Sequence, residues 1–126
     1  MTVEESTSDL RPPPGLVLVL DARDAAGVAE FWAAALRYDR RASVGQFEVL
    51  TPPAGSGAPA LLVQGVGEAK VGKNRMHVDL HVADPEAEAA RLILLGATRL
   101  GDGRLDDIRW ITMADPKGNE FDLAWD

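Results

Sequence analysis

The chain has 126 residues, of which 46% are hydrophobic and 26% are charged, a composition typical of one globular domain. Its net charge of −7 argues against nucleic-acid binding, because phosphate contacts need a basic surface. No apolar run reaches the length of a membrane span, and the lack of cysteine excludes disulfides, thiolate metal ligands and a cysteine nucleophile. We therefore expect a cytoplasmic protein with no nucleic-acid or membrane partner.

The first 14 residues are polar and end in three prolines, which predicts a flexible N-terminal tail over residues 1–14. The acidic residues Glu4, Glu5 and Asp9 and the lack of an apolar stretch argue against a secretory signal. The remaining residues, 15–126, are predicted to form a single domain.

The first half of this domain, residues 15–68, contains one predicted helix. Asp24 can cap its N-terminus, and apolar residues at helical spacing continue to an end near Arg37. Trp32 lies on the apolar face of this helix and is therefore expected in the core. The predicted strands of this half cover residues 16–21, 39–44, 46–51 and 60–66, with a Pro/Gly-rich loop before the last one.

The second half, residues 74–126, repeats this order at an offset of 60 residues, measured from Asp24 to Asp84. Asp84 can cap a helix that Gly96 ends. The predicted apolar face of the helix contains Ala89, Leu92 and Ile93. The predicted strands cover residues 76–82, 97–101, 107–114 and 119–125. Both halves therefore have the order β-α-β-β-β.

The strand predicted over residues 76–82, "MHVDLHV", places His77, Asp79 and His81 on one face and four apolar residues on the other. These are the two histidines of the chain, so this polar face is either solvent-exposed or part of a functional site. Residues four apart on a strand are separated by about 13 Å, so His77 and His81 cannot chelate one ion together.

The last strand carries an acid between apolar residues. A type I turn is predicted at residues 115–118, where Asp115, Pro116 and Gly118 occupy suitable positions. In the strand that follows, Phe121, Leu123 and Trp125 point to one face. Asp122 therefore points to the opposite face, which is either solvent or part of a site.

Two segments, "HVDLHVADPEAEAARLILLGAT" and "WITMADPKGNEFDL", resemble the vicinal oxygen chelate superfamily, which includes glyoxalase I, extradiol dioxygenases and bleomycin-resistance proteins. The segment "DARDAAGVAEFWAAAL" supports the resemblance, which extends over roughly residues 15–125. It implies an α+β fold of two tandem βαβββ modules, residues 15–68 and 74–126, around a U-shaped cleft. Such proteins frequently form homodimers, and a homodimer is expected here.

The resemblance also implies metal ligands on the first and last strands of each module. The matching positions hold Val17, Gln64, His77 and Asp122. Valine cannot bind a metal, so the implied site is degenerate, with His77, Asp122 and the amide of Gln64 as ligands for Mn, Ni, Co, Zn or Fe. His77 is also the strongest candidate for a catalytic residue.

Two functional hypotheses follow, and a scaffold without any site is a third, weaker alternative. The first is a small-molecule-binding protein that sequesters an aromatic or antibiotic-like compound. The second is a divalent-metal-dependent lyase, isomerase or dioxygenase. The sequence determines neither the ligand nor whether the site lies within one chain or between two. The predicted ligand-binding residues are His77, Asp79, His81, Gln64, Asp122, Trp110 and Phe47, and the sequence does not assign the faces of Trp110 and Phe47.

Overall fold

The computed structural model describes Pro12 and residues 15–126. Apart from Pro12, the predicted N-terminal tail lies outside these residues. The first module consists of β1 (Val17–Ala22), α1 (Ala25–Leu36), β2 (Arg40–Val44), β3 (Phe47–Thr51) and β4 (Ala60–Gly65). The second consists of β5 (Asp79–His81), α2 (Pro85–Leu94), β6 (Thr98–Leu105), β7 (Ile108–Ala114) and β8 (Glu120–Trp125). The predicted α+β fold of two βαβββ modules is confirmed.

The two sheets have the same topology, with strand orders β1-β4-β3-β2 and β5-β8-β7-β6. The first strand of each module runs parallel to the last, and the other neighbours are antiparallel. In the described part of the chain, β1 pairs only with β4 and β5 only with β8. Each sheet therefore has a free edge at its first strand.

Homologous capping interactions start the two helices. The Asp24 carboxylate accepts a hydrogen bond from Gly27 N at 3.2 Å, and the Asp84 carboxylate accepts one from Ala87 N at 3.1 Å. Each carboxylate satisfies a backbone donor that has no partner within its helix. Both predicted caps are confirmed, and with them the 60-residue repeat.

The two modules share one hydrophobic core, to which both helices contribute. The rings of Phe31, Trp32 and Phe121 meet there with centroid separations of 4.9 to 6.1 Å. Arg91 of α2 donates to Ala34 O and Ala35 O at the end of α1, at 3.1 and 2.9 Å. The core location predicted for Trp32 is confirmed, and the sheet faces away from the helices remain open.

The predicted turn at residues 115–118 is confirmed by a hydrogen bond from Gly118 N to Asp115 O at 2.9 Å. The buried carboxylate of Asp115 accepts from Lys117 N and Asn119 N at 2.9 Å each. It also accepts from Trp32 Nε1 at 2.8 Å. This acid therefore connects the turn before β8 to α1 of the other module.

Three details differ from the sequence-based predictions. Met76 is 80% exposed and lies before the short strand β5, which begins at Asp79 and not at Met76 as predicted. Ile93 is also exposed, one position round the helix from the buried Leu92. Strand β6 extends to Leu105, beyond the predicted end at Gly101, because a two-residue turn with Asp106 at φ 53° pairs it with β7.

None of the helices described is long and apolar enough to cross a membrane.

Candidate functional site

Asp122 lies on the open face of the second sheet, as the alternation in β8 predicted. Its neighbours Phe121 and Leu123 are fully buried on the helix side. On the open face, Asp122 is opposite Thr112 of β7, and Thr112 Oγ1 donates to Asp122 Oδ1 at 2.8 Å. This hydrogen bond fixes one carboxylate oxygen and leaves the other directed towards β5.

Two further polar side chains join Asp122 on this face. Asp79 is the register partner of Asp122, and His77 Nε2 lies 3.1 Å from Asp122 Oδ2 and 3.3 Å from Asp79 Oδ1. One ligand atom from each of the three residues lies within 4.8 Å of the others. An imidazole and two carboxylates can present three ligand atoms to one divalent cation, or as imidazolium and carboxylates they can bind each other.

The equivalent positions of the first module are apolar. Val19 is the register partner of Leu62, as Asp79 is of Asp122, and each pair member is 60 residues from its counterpart. Val17, Val19 and Leu62 therefore replace the polar cluster of His77, Asp79 and Asp122.

This register also shows where Gln64, the predicted third metal ligand, lies in the first sheet. Gln64 lies opposite Asp21, two residues or about 7 Å along β4 from the equivalent of Asp122. Its side chain makes no hydrogen bond to His77, Asp79 or Asp122 within the described residues. The structure brings Asp79 together with His77 and Asp122, and Gln64 as a further ligand stays a prediction.

A cavity of about 770 Å³ lies between the free edges of β1 and β5. Residues 17–20 form one wall and residues 76–82 the other, and the helix layer contributes Trp32 and Leu36. The lining is mostly apolar, and His77, Asp79 and His81 all contribute to it. Asp122, Gln64, Trp110 and Phe47 are outside the lining. The predicted binding residues are thus divided between this cavity and the open faces of the sheets.

The carboxylate of Glu120 and the hydroxyl of Tyr38 also line the cavity. Burial acts to raise the pKa of Glu120, but the ion pair with Lys70 at 2.6 Å and a hydrogen bond from Asn74 N at 3.0 Å lower it overall. Burial raises the pKa of Tyr38, whose hydroxyl donates to Pro59 O at 2.7 Å. Glu120 is therefore anionic and Tyr38 neutral near pH 7.

The strand registers show on which face of its sheet each of Phe47 and Trp110 lies, which the sequence did not determine. Phe47 is opposite Gln64 on the open face of the first sheet. Trp110 is opposite Ala124 and Gly103 on the open face of the second sheet, the face that carries Asp122. Both aromatic residues therefore lie on open faces and not in the shared core.

Sequence reasoning missed several polar residues near the site. Thr112 shares the alternation of Trp110, so the period of two in β7 was an available signal. Tyr38 and Asn74 belong to irregular segments that line the cavity, and no periodicity identifies them.

The model of the family described as "Glyoxalase-like domain" matches residues 17–124. Among solved structures, the fosfomycin resistance protein FosX from Listeria monocytogenes superposes with a TM-score of 0.73 at 12% identity, covering 92% of this chain and 95% of that one. A glyoxalase/bleomycin resistance protein/dioxygenase family enzyme from Burkholderia phytofirmans PsJN gives 0.70 at 14% identity, with coverages of 86% and 95%.

The bleomycin-binding protein of Streptomyces verticillus, in complex with copper(II)-bleomycin, gives a TM-score of 0.64 at 19% identity, covering 90% of this chain and 97% of that one. No curated protein matches the chain. At these identities the solved structures establish the fold alone, and the family assignment rests on the match over residues 17–124. The chain belongs to the glyoxalase-like domain family of the vicinal oxygen chelate superfamily.

Proposed function

We propose that this protein binds a small, largely apolar organic molecule in the cavity between β1 and β5, with His77 and Asp79 as polar anchors. The observation that carries this proposal is the position of both side chains on the wall of a mostly apolar cavity of about 770 Å³. Binding sites for small molecules combine a predominantly apolar lining with a few polar groups that set orientation. Sequestration of an aromatic or antibiotic-like compound suits such a cavity, and the S. verticillus relative, which binds bleomycin, supports it.

Native mass spectrometry of protein purified from rich medium, followed by a compound screen, tests the proposal. We expect a retained compound or a screening hit whose affinity falls when His77 is replaced by alanine, because the ligand loses its polar anchor. Arg109→Ala, on an exposed residue of β7 outside the cavity lining, is the matched control and should leave the affinity unchanged. The absence of any ligand, or equal affinity in the two variants, would contradict the proposal.

A divalent-metal-dependent lyase, isomerase or dioxygenase is the second candidate. The cluster of His77, Asp79 and Asp122 favours it, because an imidazole and two carboxylates fit Mn, Fe, Co, Ni or Zn. When bound, such an ion polarises a substrate carbonyl or enediolate. The three side chains would hold the ion. In an ion-free site Nε2 donates to the two carboxylates, and Nδ1 is the nitrogen of His77 that would accept a substrate proton.

Because only one module supplies ligands, we expect weak ion binding and therefore a small rise in melting temperature at micromolar Mn²⁺, Co²⁺, Ni²⁺ or Zn²⁺. Asp79→Asn should abolish the rise, whereas Gln64→Ala should leave it intact. A large stoichiometric rise would favour the enzyme over the binding protein. Loss of the rise in Gln64→Ala alone would restore Gln64 as a ligand.

We further propose that the protein forms a homodimer. The edge of the first sheet at β2 is also free among the described residues, lies outside the cavity and can pair with another chain, and Val44 on it is 61% exposed. Light scattering at high micromolar concentration should give twice the monomer mass. A monomer would contradict this proposal and would require a site within one chain.

A further inference from the structure

The indole of Trp110 lies flat on the backbone of the edge strand β6. A Cβ atom built on Gly103 would be only 2.1 to 2.3 Å from the Trp110 ring atoms Cε2, Nε1 and Cζ2. The ring therefore occupies the space that any other side chain at position 103 would fill. This contact covers one face of the indole, in keeping with the half-buried state of Trp110, and shields the edge of the sheet.

On the open face, β6 presents two successive glycines, Gly101 and Gly103, beside this ring, and the next side chain on that face is Leu105. Gly101 is opposite Thr112, as Gly103 is opposite Trp110, and a Cβ at Gly101 would have no atom within 4 Å. Its backbone φ is outside the left-handed region, so the chain conformation does not require glycine there. The register shift between Arg99 and Gly101 accounts for a glycine at this position, and the feature available to a ligand is the open space above it.

The polar atoms next to the indole are hydrogen-bond acceptors. Thr112 lies two residues from Trp110 on β7, about 7 Å away, and its hydroxyl proton is already donated to Asp122. The lone pairs of Thr112 Oγ1 and the carboxylate of Asp122 therefore remain available to accept. A molecule that lies on the ring and reaches this pair must supply a donor. The carboxylate and the net charge of −7 also disfavour an anion.

We infer that Trp110, with Thr112 and Asp122, forms an aromatic subsite on the open face of the second sheet, which takes a planar, uncharged or cationic aromatic ring bearing a hydrogen-bond donor. The ring stacks on the indole, and the donor reaches Thr112 Oγ1 or the Asp122 carboxylate. This inference rests on the proposed small-molecule function and narrows its ligand class. The subsite lies outside the cavity between β1 and β5, so the two can be tested separately.

Isothermal titration calorimetry at pH 7 with 2-naphthol tests the subsite, because this probe has a planar ring and one hydroxyl donor. Trp110→Leu should weaken its affinity about fivefold by removing the stacking surface. Gly101→Val should weaken it at least as much by filling the space above β6. Gly67→Val is the matched control, since position 67 also has open space and an ordinary φ, and it should leave the affinity unchanged.

Two related probes separate the ring from its donor. 2-Methoxynaphthalene keeps the ring without the donor, and decahydro-2-naphthol keeps the donor without the π face. Both probes should bind the wild-type protein more weakly than 2-naphthol does. To the Gly101→Val variant, all three compounds should bind with about equal affinity.

Equal binding of 2-naphthol to wild type, Trp110→Leu and Gly101→Val would overturn the inference, and so would the absence of binding to wild type. If, in the first case, His77→Ala weakens the probe, the ligand occupies the cavity, and the proposed function survives without this subsite. If 2-naphthol does not bind the wild-type protein, the compound screen described above still tests whether the cavity binds a small molecule.

Discussion

The two modules share their topology, their helix caps and their strand registers, but their open faces differ in chemistry. The second module carries His77, Asp79 and Asp122 where the first carries Val17, Val19 and Leu62. The helix-facing positions of β4 and β8, by contrast, are apolar in both modules, as with Leu123 and its counterpart Val63. The comparison separates the residues that form the fold from those available for a ligand. It predicts that substitutions on the two kinds of position have distinct effects.

The largest expected effect is on the helix-facing side, where the two modules should behave alike. Leu123→Ala should lower the free energy of unfolding by about 2–5 kcal/mol, because a fully buried leucine is truncated. Val63→Ala in the first module should cost less, about 1–3 kcal/mol, since fewer methyl groups are lost. Urea denaturation curves of both variants measure these changes. A harmless Leu123→Ala would show that β8 is turned over and that Asp122 is the buried residue.

A smaller effect is expected at the contact between the modules. Trp32→Phe should lower the free energy of unfolding by about 1–3 kcal/mol, because Asp115 loses the buried indole donor. Phe31→Leu is a comparison that changes ring packing without touching this hydrogen bond. A calorimetric melt of Trp32→Phe indistinguishable from wild type would show that Asp115 is fully satisfied by its own turn.

The two helices differ in charge at one equivalent position, where α2 has Glu88 in ion pairs and α1 has the buried Val28. A hydrogen bond from Arg91 is the main cause that lowers the pKa of Glu88 in the folded protein, and Arg37 adds to it. A lowered folded-state pKa contributes stability above the unfolded value of about 4.3, and this contribution is lost as the pH falls through the folded value. Glu88→Gln should therefore destabilise the protein at pH 7 and cost progressively less below about pH 4. Melting temperatures from pH 7 to pH 3 test this. A difference that does not shrink at low pH would contradict the assigned ion pair.

The fold was predictable from sequence because its signals are local and repeated. Asp24 and Asp84 precede helical periodicity, and the alternation around Asp122 is by itself enough to identify the open face of β8. The extent of β6 was not predictable, since Gly101 and Gly103 disfavour strands and the pairing with β7 is what extends it.

The site was predictable only in part. His77 and Asp122 follow from alternation and resemblance, but pairing register decides which side chains meet. A shift of two residues separates Gln64 from the position equivalent to Asp122, and only the pairing of β1 with β4 reveals it. The cavity walls come from two strand edges and an irregular segment that are distant in sequence. Such long-range proximity has no signal in one chain's periodicity.

The smallest expected effect on stability, and the largest on function, is at Asp122. The central claim is that the second module supplies the polar anchors for the ligand, with Asp122 holding His77 at 3.1 Å, and that the first module supplies none. The most direct test is the dissociation constant for Zn²⁺ and for the best screening compound in wild type, Asp122→Asn and the counterpart variant Leu62→Asn. We predict that Asp122→Asn weakens binding with little change in melting temperature, whereas Leu62→Asn leaves both affinities unchanged. Unaltered binding in Asp122→Asn, or unfolding of that variant, would contradict the account.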